Sequence, residues 1–522
     1  MLEFPSNNRI DKVRHYVKQT WTLLRRGHDS LLSAAKDPKL SHEEGDLWPV
    51  YLSNKESLEQ IKATLSREIP EDFEKISLQT LPKNFRDIET HGLLYLPGDY
   101  VVPGGRFNEA YGWDSYFILL GLLKDNELFL AKSLTEQLLY QVDHYGAVLN
   151  ANRTYFLSRS QPPLLSRMVL ALYEHTQDVD WLRGTLPTLT AYYQYWLAEE
   201  HSHESGLSRF YDFGEGPAPE VVASEQDEEG RTHFDRIKTF YQNNEQNNEV
   251  TAYDVSLYYD AQKDELTDLF YKGDRTMRES GFDPTDRFGP FSVDILHYLP
   301  VCLNALLYQM EQDMAEIYRL VGDSDEDTPK DAPKDAPKGD TAEIEQWQKR
   351  AETRSHAIND YLWDDAHGLY FDYHFPTGQR RRYEFATTFY PLWTGIASAQ
   401  QAQRIVENLS KFEAPGGVRT STVTSGNQWD DPFGWAPLQL IAVEGLWRYG
   451  YEAEAKRLAR KFVSMLVEDF ERCGSLVEKY DLNARSSEVS DGIRYGYSSN
   501  EIGFGWTNGV LLSLLERLDL SQ

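Results

Sequence analysis

The stretch Val102–Leu123, VPGGRFNEAYGWDSYFILLGLL, decides how the chain folds. Its first half gathers glycine, arginine, tryptophan and aspartate. Its second half, from near Ser115, is an apolar run that predicts a helix. The same order recurs three times. Arg159-Ser160-Gln161-Pro162-Pro163 precedes a stripe at Leu165, Met168, Val169 and Leu172, with proline expected in the first helical turn. Gln428-Trp429-Asp430 to Trp435 leads into Leu438, Ile441, Ala442 and Gly445, and Gly503-Phe504-Gly505-Trp506 leads into Val510–Leu518. Further helical stripes run through Asp294–Tyr318 and Glu343–Tyr361, whereas alternating strand patterns are short, as around Gly368–Tyr373. Helices that alternate up and down around a ring would bring the four polar starts to one face. That is how an α/α barrel carries a funnel-shaped pocket on loops over a rigid scaffold.

The rest of the composition limits the function. At 522 residues the chain exceeds the size of one simple core, so two domains or one large barrel are expected. Tyr116–Leu123, the longest apolar stretch, is far short of a membrane span. The N-terminus lacks the basic-then-apolar order of a secretory signal. Two cysteines, Cys302 and Cys473, exclude a disulfide framework and fit a reduced, cytoplasmic setting. A net charge of −30 leaves no basic patch for nucleic acid or an anionic membrane, so a small neutral substrate is the natural partner. Aromatic residues make up 13% of the chain; their flat rings suit pyranose faces but are also ordinary core material. Asp323–Asp340, DSDEDTPKDAPKDAPKGD, has no apolar side chain larger than alanine and is expected to be a surface insertion rather than a domain boundary.

Several motifs resemble the trehalase family of glycoside hydrolases. VPGGRFNEAYGWDSY (102–116) is similar to its first signature and QWDDPFGWAP (428–437) to its second. SRSQPP (158–163), RESGFD (278–283), ATTFYPLW (386–393), LVEKYD (476–481) and GFGWTNG (503–509) follow in the family's order from about residue 95 onward. The resemblance implies an all-α (α/α)6 toroid that hydrolyses α,α-trehalose to two glucoses with inversion. On this reading residues 95–522 form the catalytic barrel and 1–94 a helical segment packed on it, in a monomer or weak homo-oligomer.

Cleaving a glycosidic bond with inversion needs one carboxyl to protonate the leaving oxygen and another to activate water. The resemblance assigns these tasks to Asp283 and Glu478. The acid should sit near aromatic surface, which raises its pKa, and the base in a wetter or cation-flanked place. For sugar binding the resemblance implies Arg106, Phe107, Trp113, Asp114, Asn150, Arg159, Gln161, Glu220, Arg278, Glu279, Gly281, Trp429 and Trp506. The rival reading of Arg106 and Arg159 is a buried ion pair that fixes loops, and one side chain can do both. Lys479 and Asp481 are read as supporting residues. No His/Cys cluster at zinc spacing and no Asp-x-Asp-x-Asp-Gly calcium loop occurs, so no metal or cofactor is expected.

Two departures touch the leaving-group side. Ala218-Pro219-Glu220 stands where bacterial relatives carry Arg-Pro-Glu, and Asp491-Gly492-Ile493-Arg494-Tyr495-Gly496-Tyr497 replaces a glycine run followed by Glu-Tyr. A hydrolase of an α-glucoside with a smaller leaving group, such as glucosylglycerol, is therefore the alternative within the class. An inactive sugar-binding protein is the alternative outside it, and retention of both carboxyls argues against that.

Overall fold

The computed structural model describes residues 4–39, 43, 45–222, 226, 229–244, 253–325, 341–489, 492–497 and 499–519. The chain opens with helix α1 (Asn7–Leu24), followed by a small parallel unit: strand β1 (Trp48–Leu52), helix α2 (Leu58–Glu68), β2 (Ile76–Thr80) and β3 (Leu93–Leu94). Val50 is in register with Leu78 on one side and Leu93 on the other. Buried Val50, Leu52, Leu65, Ile76 and Leu93 form its own small core. The segment before residue 95 is thus not purely helical.

Among the described residues, six helices then close a ring. They are α3 (Asp114–Lys124), α5 (Leu165–Thr176), α9 (Val301–Asp325), α11 (Tyr390–Thr394), α13 (Ala436–Arg448) and α15 (Gly505–Asp519). Each packs on the next in that order, and α15 returns to α3. An outer layer is made by α4 (Leu128–Tyr145), α6 (Val179–Tyr195), α10 (Thr341–Leu362), α12 (Ala399–Glu407) and α14 (Glu452–Cys473). Its sixth member is α1, which packs on α14 and α15. The first helix thus packs directly on the barrel. The fold is the (α/α)6 barrel.

Sequence explains the layering. In the inner helix α3 nearly every residue is buried, on all sides of the helix, as befits an element surrounded by protein. In the outer α14, apolar Leu458, Phe462, Met465 and Leu466 line the inward stripe while Glu452, Lys456 and Arg460 lie among the polar positions. The ring closes tightly where α3 meets α15: a Cβ on Gly509 would lie 1.9 Å from the Phe117 carbonyl oxygen, and one on Gly121 would lie 2.7 Å from Gly509 Cα. Any larger residue there would push the two helices apart.

The polar starts of α3, α5, α13 and α15 do converge. Residues from all four line one cavity of about 930 Å³. Their far ends, including Lys124, Glu174, Arg448 and Arg517, line a second cavity of about 500 Å³ at the opposite mouth. Three details differ from the sequence expectation. Pro162 and Pro163 precede α5, which begins at Leu165, because Leu164 is its N-cap. The Asp294–Tyr318 stripe is divided into a 3-10 turn (Pro290–His297), strand β4 (Tyr298–Leu299) and α9. Helix α9 continues to Asp325, and positions 326–340 of the expected surface insertion lie outside the described residues. The strands near Gly368–Tyr373 include β5 (Asp372–His374), paired with β6 (Gln379–Arg381) and β4. Among the described residues no helix is long and apolar enough to cross a membrane. Both cysteines are free, Cys302 buried and Cys473 exposed.

Candidate active site

The loop before α3 supplies one wall of the large cavity. Gly105 adopts φ +51°, and a Cβ there would lie 1.9 Å from Glu501 Oε2, so glycine allows the loop to approach Glu501. Arg106 donates its backbone N–H to Glu501 Oε2 at 3.0 Å and pairs through Nε with Oε1 at 3.4 Å. Trp113 packs edge-on against Trp506 and Phe282 and near Trp429, whose ring stacks on Trp435 at 3.8 Å. Trp113, Trp429, Trp435 and Trp506 all line the cavity. Asp114, the first residue of α3, is buried there, and burial followed by the charge of Glu478 raises its pKa well above the carboxylate range.

A second wall is ionic. Arg159 is fully buried and pairs with Asp212 at 3.4 Å and with Glu220; its Nη2 also donates to Asn150 Oδ1 at 3.3 Å. Arg159 holds Glu220 ionised: burial alone would raise the carboxyl, but Arg159 and Arg278 together bring it down to about 2. One oxygen of Glu220, Oε2, has no hydrogen-bond partner among the described residues. Arg159 is a buried ion pair and Arg106 an exposed one, and each lines the cavity.

Asp283 follows helix α8 (Asp268–Glu279), and Glu478 directly precedes strand β8 (Lys479–Asp481), which pairs with β7 (Phe433–Trp435). Both carboxyls face the same cavity. Asp283 is half-buried, with Oδ2 3.3 Å from Arg278 Nη1. Burial pushes its pKa up to about 6, against the pull of Arg278 and Arg159. Glu478 is only 3% exposed. Burial raises it too, opposed first by Lys479 and then by the Tyr497 hydroxyl. The base position is therefore cation-flanked, as expected, but drier than the acid rather than wetter.

Of the sugar-binding residues read from the sequence, all but Glu279 line the cavity. Glu279 is corrected. Its Oε1 accepts the Ser160 N–H at 3.1 Å and the Tyr195 hydroxyl at 2.8 Å, and its Oε2 accepts the Tyr211 N–H at 2.7 Å. It is a buried clamp between loops. Gln161 spends its Oε1 on the Trp113 backbone N–H at 2.9 Å, and Trp506 donates Nε1–H to the Glu478 carbonyl at 3.1 Å. Further cavity residues stood outside the sugar-contact set read from the sequence, and four of them stand out. Gln428 donates to the Asp283 carbonyl and accepts from Lys479 Nζ at 3.1 Å. Tyr497 donates to Glu478. His233 and Arg236 come from helix α7 (His233–Asn244). Gln428 stood inside a quoted motif and could have been found; nothing in the local pattern marks Arg236.

Among the described residues one group could hold a metal ion: Asp294, His297 and His374, with ligating atoms within 4.8 Å of one another. It does not line the cavity. Asp294 is already occupied, accepting from the Tyr258 hydroxyl at 2.7 Å and lying 2.7 Å from His297 Nδ1.

A prediction follows from Asp283. Its folded pKa of about 6 exceeds the ordinary 3.8, so the folded state binds its proton more tightly than the unfolded chain does. Stability from this group is full below pH 4 and falls as pH rises through 6. Asp283→Asn should therefore stabilise the protein by about 1–2 kcal/mol at pH 7, after discounting for partial exposure. Thermal melts should show the gain at pH 7 and its disappearance near pH 4.

An α/α toroid with two carboxyls in an arginine- and tryptophan-lined cavity defines a protein of the glycoside hydrolase class. The trehalase family model matches residues 7–519. The chain is 38% identical over 447 residues to the cytosolic neutral trehalase of Kluyveromyces lactis, covering 79% of this chain and 55% of that protein. It is 34% identical over 566 residues to the cytosolic neutral trehalase of Emericella nidulans, covering 99% and 74%. The structure of neutral trehalase Nth1 from Saccharomyces cerevisiae superposes with a TM-score of 0.78 at 33% identity, over 98% of this chain and 94% of that one. The chain belongs to the trehalase family. It spans about half to three quarters of the length of these two curated relatives.

Proposed function

We propose that the protein hydrolyses α,α-trehalose to two glucoses with inversion. The observation that carries the reading is that Asp283 and Glu478 line one cavity, Asp283 with its pKa pushed up to about 6 by burial and Glu478 beside the Lys479 ammonium and the Tyr497 hydroxyl. Asp283, with its pKa raised, donates its proton to the glycosidic oxygen as the C1–O bond breaks. Glu478, flanked by Lys479 and Arg106, takes a proton from water as that oxygen bonds to C1 from the opposite face. Atoms balance: one water is consumed, the proton lost by Asp283 is matched by the one gained by Glu478, and exchange with solvent resets both.

A neutral, hydroxyl-rich ligand suits this lining. Although the whole chain carries −30, the cavity sets Arg106, Arg159, Arg236 and Arg278 beside Asp114, Glu220, Asp283 and Glu478. Such a mixture of arginine and carboxyl groups grips hydroxyls with forked hydrogen bonds, and the tryptophans give flat faces. A cavity of about 930 Å³ falls within the usual range for holding small ligands, roughly 300–1,000 Å³. We place the sugar contacts at Arg106, Phe107, Trp113, Asp114, Asn150, Arg159, Gln161, Glu220, Arg278, Gly281, Trp429 and Trp506. The setting proposed is cytoplasmic, in line with the names of the relatives, and the small parallel unit before residue 95 is proposed to serve as an appendage of the barrel.

The test is glucose release from trehalose, glucosylglycerol, kojibiose, sucrose and maltose. Trehalose is expected to be the preferred substrate, and release from none of the five overturns the hydrolase reading. Exhaustive EDTA treatment should leave the rate unchanged, because two positioned carboxyls suffice and the Asp294–His297–His374 group lies off the cavity. Loss of activity restored by zinc or calcium would be the contrary result.

A further inference from the structure

The two oxygens of Glu478 have different surroundings. Oε1 accepts the hydroxyl of Tyr497. Oε2 is buried, receives no hydrogen bond from any described residue, and stands 3.7 Å from Lys479 Nζ. Tyr497 is itself firmly placed. Its ring lies 4.8 Å from the Arg106 guanidinium and 3.7 Å from the Lys479 ammonium. Its carbonyl accepts from Lys479 Nζ at 2.9 Å, and its N–H donates to Gln428 Oε1 at 3.3 Å. Through its amide nitrogen Gln428 also holds the Asp283 carbonyl. One amide thus ties the backbone of the acid, the neighbour of the base and the segment that carries Tyr497.

We propose that Tyr497 is a positioning residue for Glu478, its phenol holding the carboxylate by Oε1 in one orientation. The inference deepens the reading of Glu478 as general base and rests on it. A carboxylate free to turn about its last bond offers either oxygen in either direction, whereas a charge-assisted hydrogen bond to one oxygen fixes the other. A base acts only on a proton within hydrogen-bond reach, so the orientation of this carboxylate bears on turnover rather than on binding. The phenol also favours the ionised base, because it donates to the charged form.

The other groups around Glu478 do not remove the need for this donor. From its own strand comes Lys479, and from the loop before α3 comes Arg106, both favouring ionisation. Glu501, which follows the Tyr497 segment, disfavours it. Asp114 at the start of α3 interacts with Glu478, and Asp283 after α8 with Tyr497. Tyr497 remains a donor throughout, since burial and the Glu478 charge push its own pKa well above the usual phenol value.

Tyr497→Phe keeps the ring between Arg106 and Lys479 and deletes only the hydroxyl. On trehalose, kcat should fall ~10- to 100-fold while KM changes by less than about twofold, as expected for the loss of one charge-assisted bond. The acidic limb of kcat/KM, which reports the free enzyme, should move up by about one pH unit. The melting temperature should stay within a few degrees. A Phe variant with wild-type kcat and an unmoved limb overturns the proposal. A lower kcat with an unmoved limb and a lower melting temperature also overturns it, by assigning Tyr497 to packing. Glu478→Gln, run alongside, separates the two claims: near-normal turnover in that variant overturns the general-base reading and this inference with it, whereas failure of Tyr497→Phe alone leaves the base reading standing.

Discussion

Asp283→Asn and Glu478→Gln should each lower kcat on the true substrate by ~10²–10⁴-fold, the range that a positioned acid or base contributes. Each change is nearly isosteric, and each leaves the local contacts in place. Arg278 keeps its bonds to Asp274 at 3.0 and 3.1 Å when Asp283 is neutralised. The Glu478 backbone N–H keeps its bond to the Glu501 carbonyl at 3.0 Å. Loss of rate without loss of fold is therefore the expected pattern, and the Asn variant should melt higher than wild type at pH 7. The two variants should also differ from each other. An activated aryl α-glucoside needs little protonation of its leaving group, so it should restore much of the Asp283→Asn rate and none of the Glu478→Gln rate. Near-normal kcat in either variant would show that the residue is misassigned. Equal response of both variants to the activated substrate would show that the acid and base are exchanged or that neither protonates the leaving group.

The inner ring and most of the cavity were legible because both depend on local pattern. An inner helix is apolar on every side, and the loop before it must place arginine, tryptophan and carboxyl groups within a few residues; both leave compact traces in sequence. What was not legible depends on pairing across the chain. The parallel contact of β1 with β2 and β3 joins segments separated by α2 and a long loop, and no residue between them announces it. Glu279 sits next to cavity-lining Arg278 in the same motif, yet a helix turns by about 100° per residue. Arg278 faces Asp283, and Glu279 faces Ser160 and Tyr211. Tyr497 was visible as a bulky residue in an altered segment, but only the fold shows its hydroxyl on Glu478. Arg236 reaches the cavity from α7, outside every motif.

The leaving-group side decides between trehalose and a smaller α-glucoside, and kcat/KM for trehalose should exceed that for glucosylglycerol. If glycerol were the leaving group, Arg494, Tyr495 and Tyr497 would be expected to fill the space of a second sugar. Of these three, only Tyr497 lines the cavity. Arg494 packs beside Gly426, with its N–H on the Gly426 carbonyl at 2.8 Å, and Tyr495 packs edge-on against Phe291 and Phe240. The arginine absent at position 218 leaves Glu220 with Arg159 and Arg278 for company, while Arg236 adds a guanidinium whose Nε has no hydrogen-bond partner among the described residues. Glu220 Oε2 is likewise without such a partner and buried. Groups built to read hydroxyls discriminate strongly, because each left unmatched costs ~1–3 kcal/mol. Glu220→Ala should therefore reduce kcat/KM for trehalose by ~10- to 100-fold, and reduce cleavage of an activated aryl α-glucoside far less, since that leaving group makes few such bonds. A hundredfold preference of the wild-type protein for glucosylglycerol, or equal damage to both substrates in Glu220→Ala, would overturn the trehalose assignment while leaving Asp283 and Glu478 in their places.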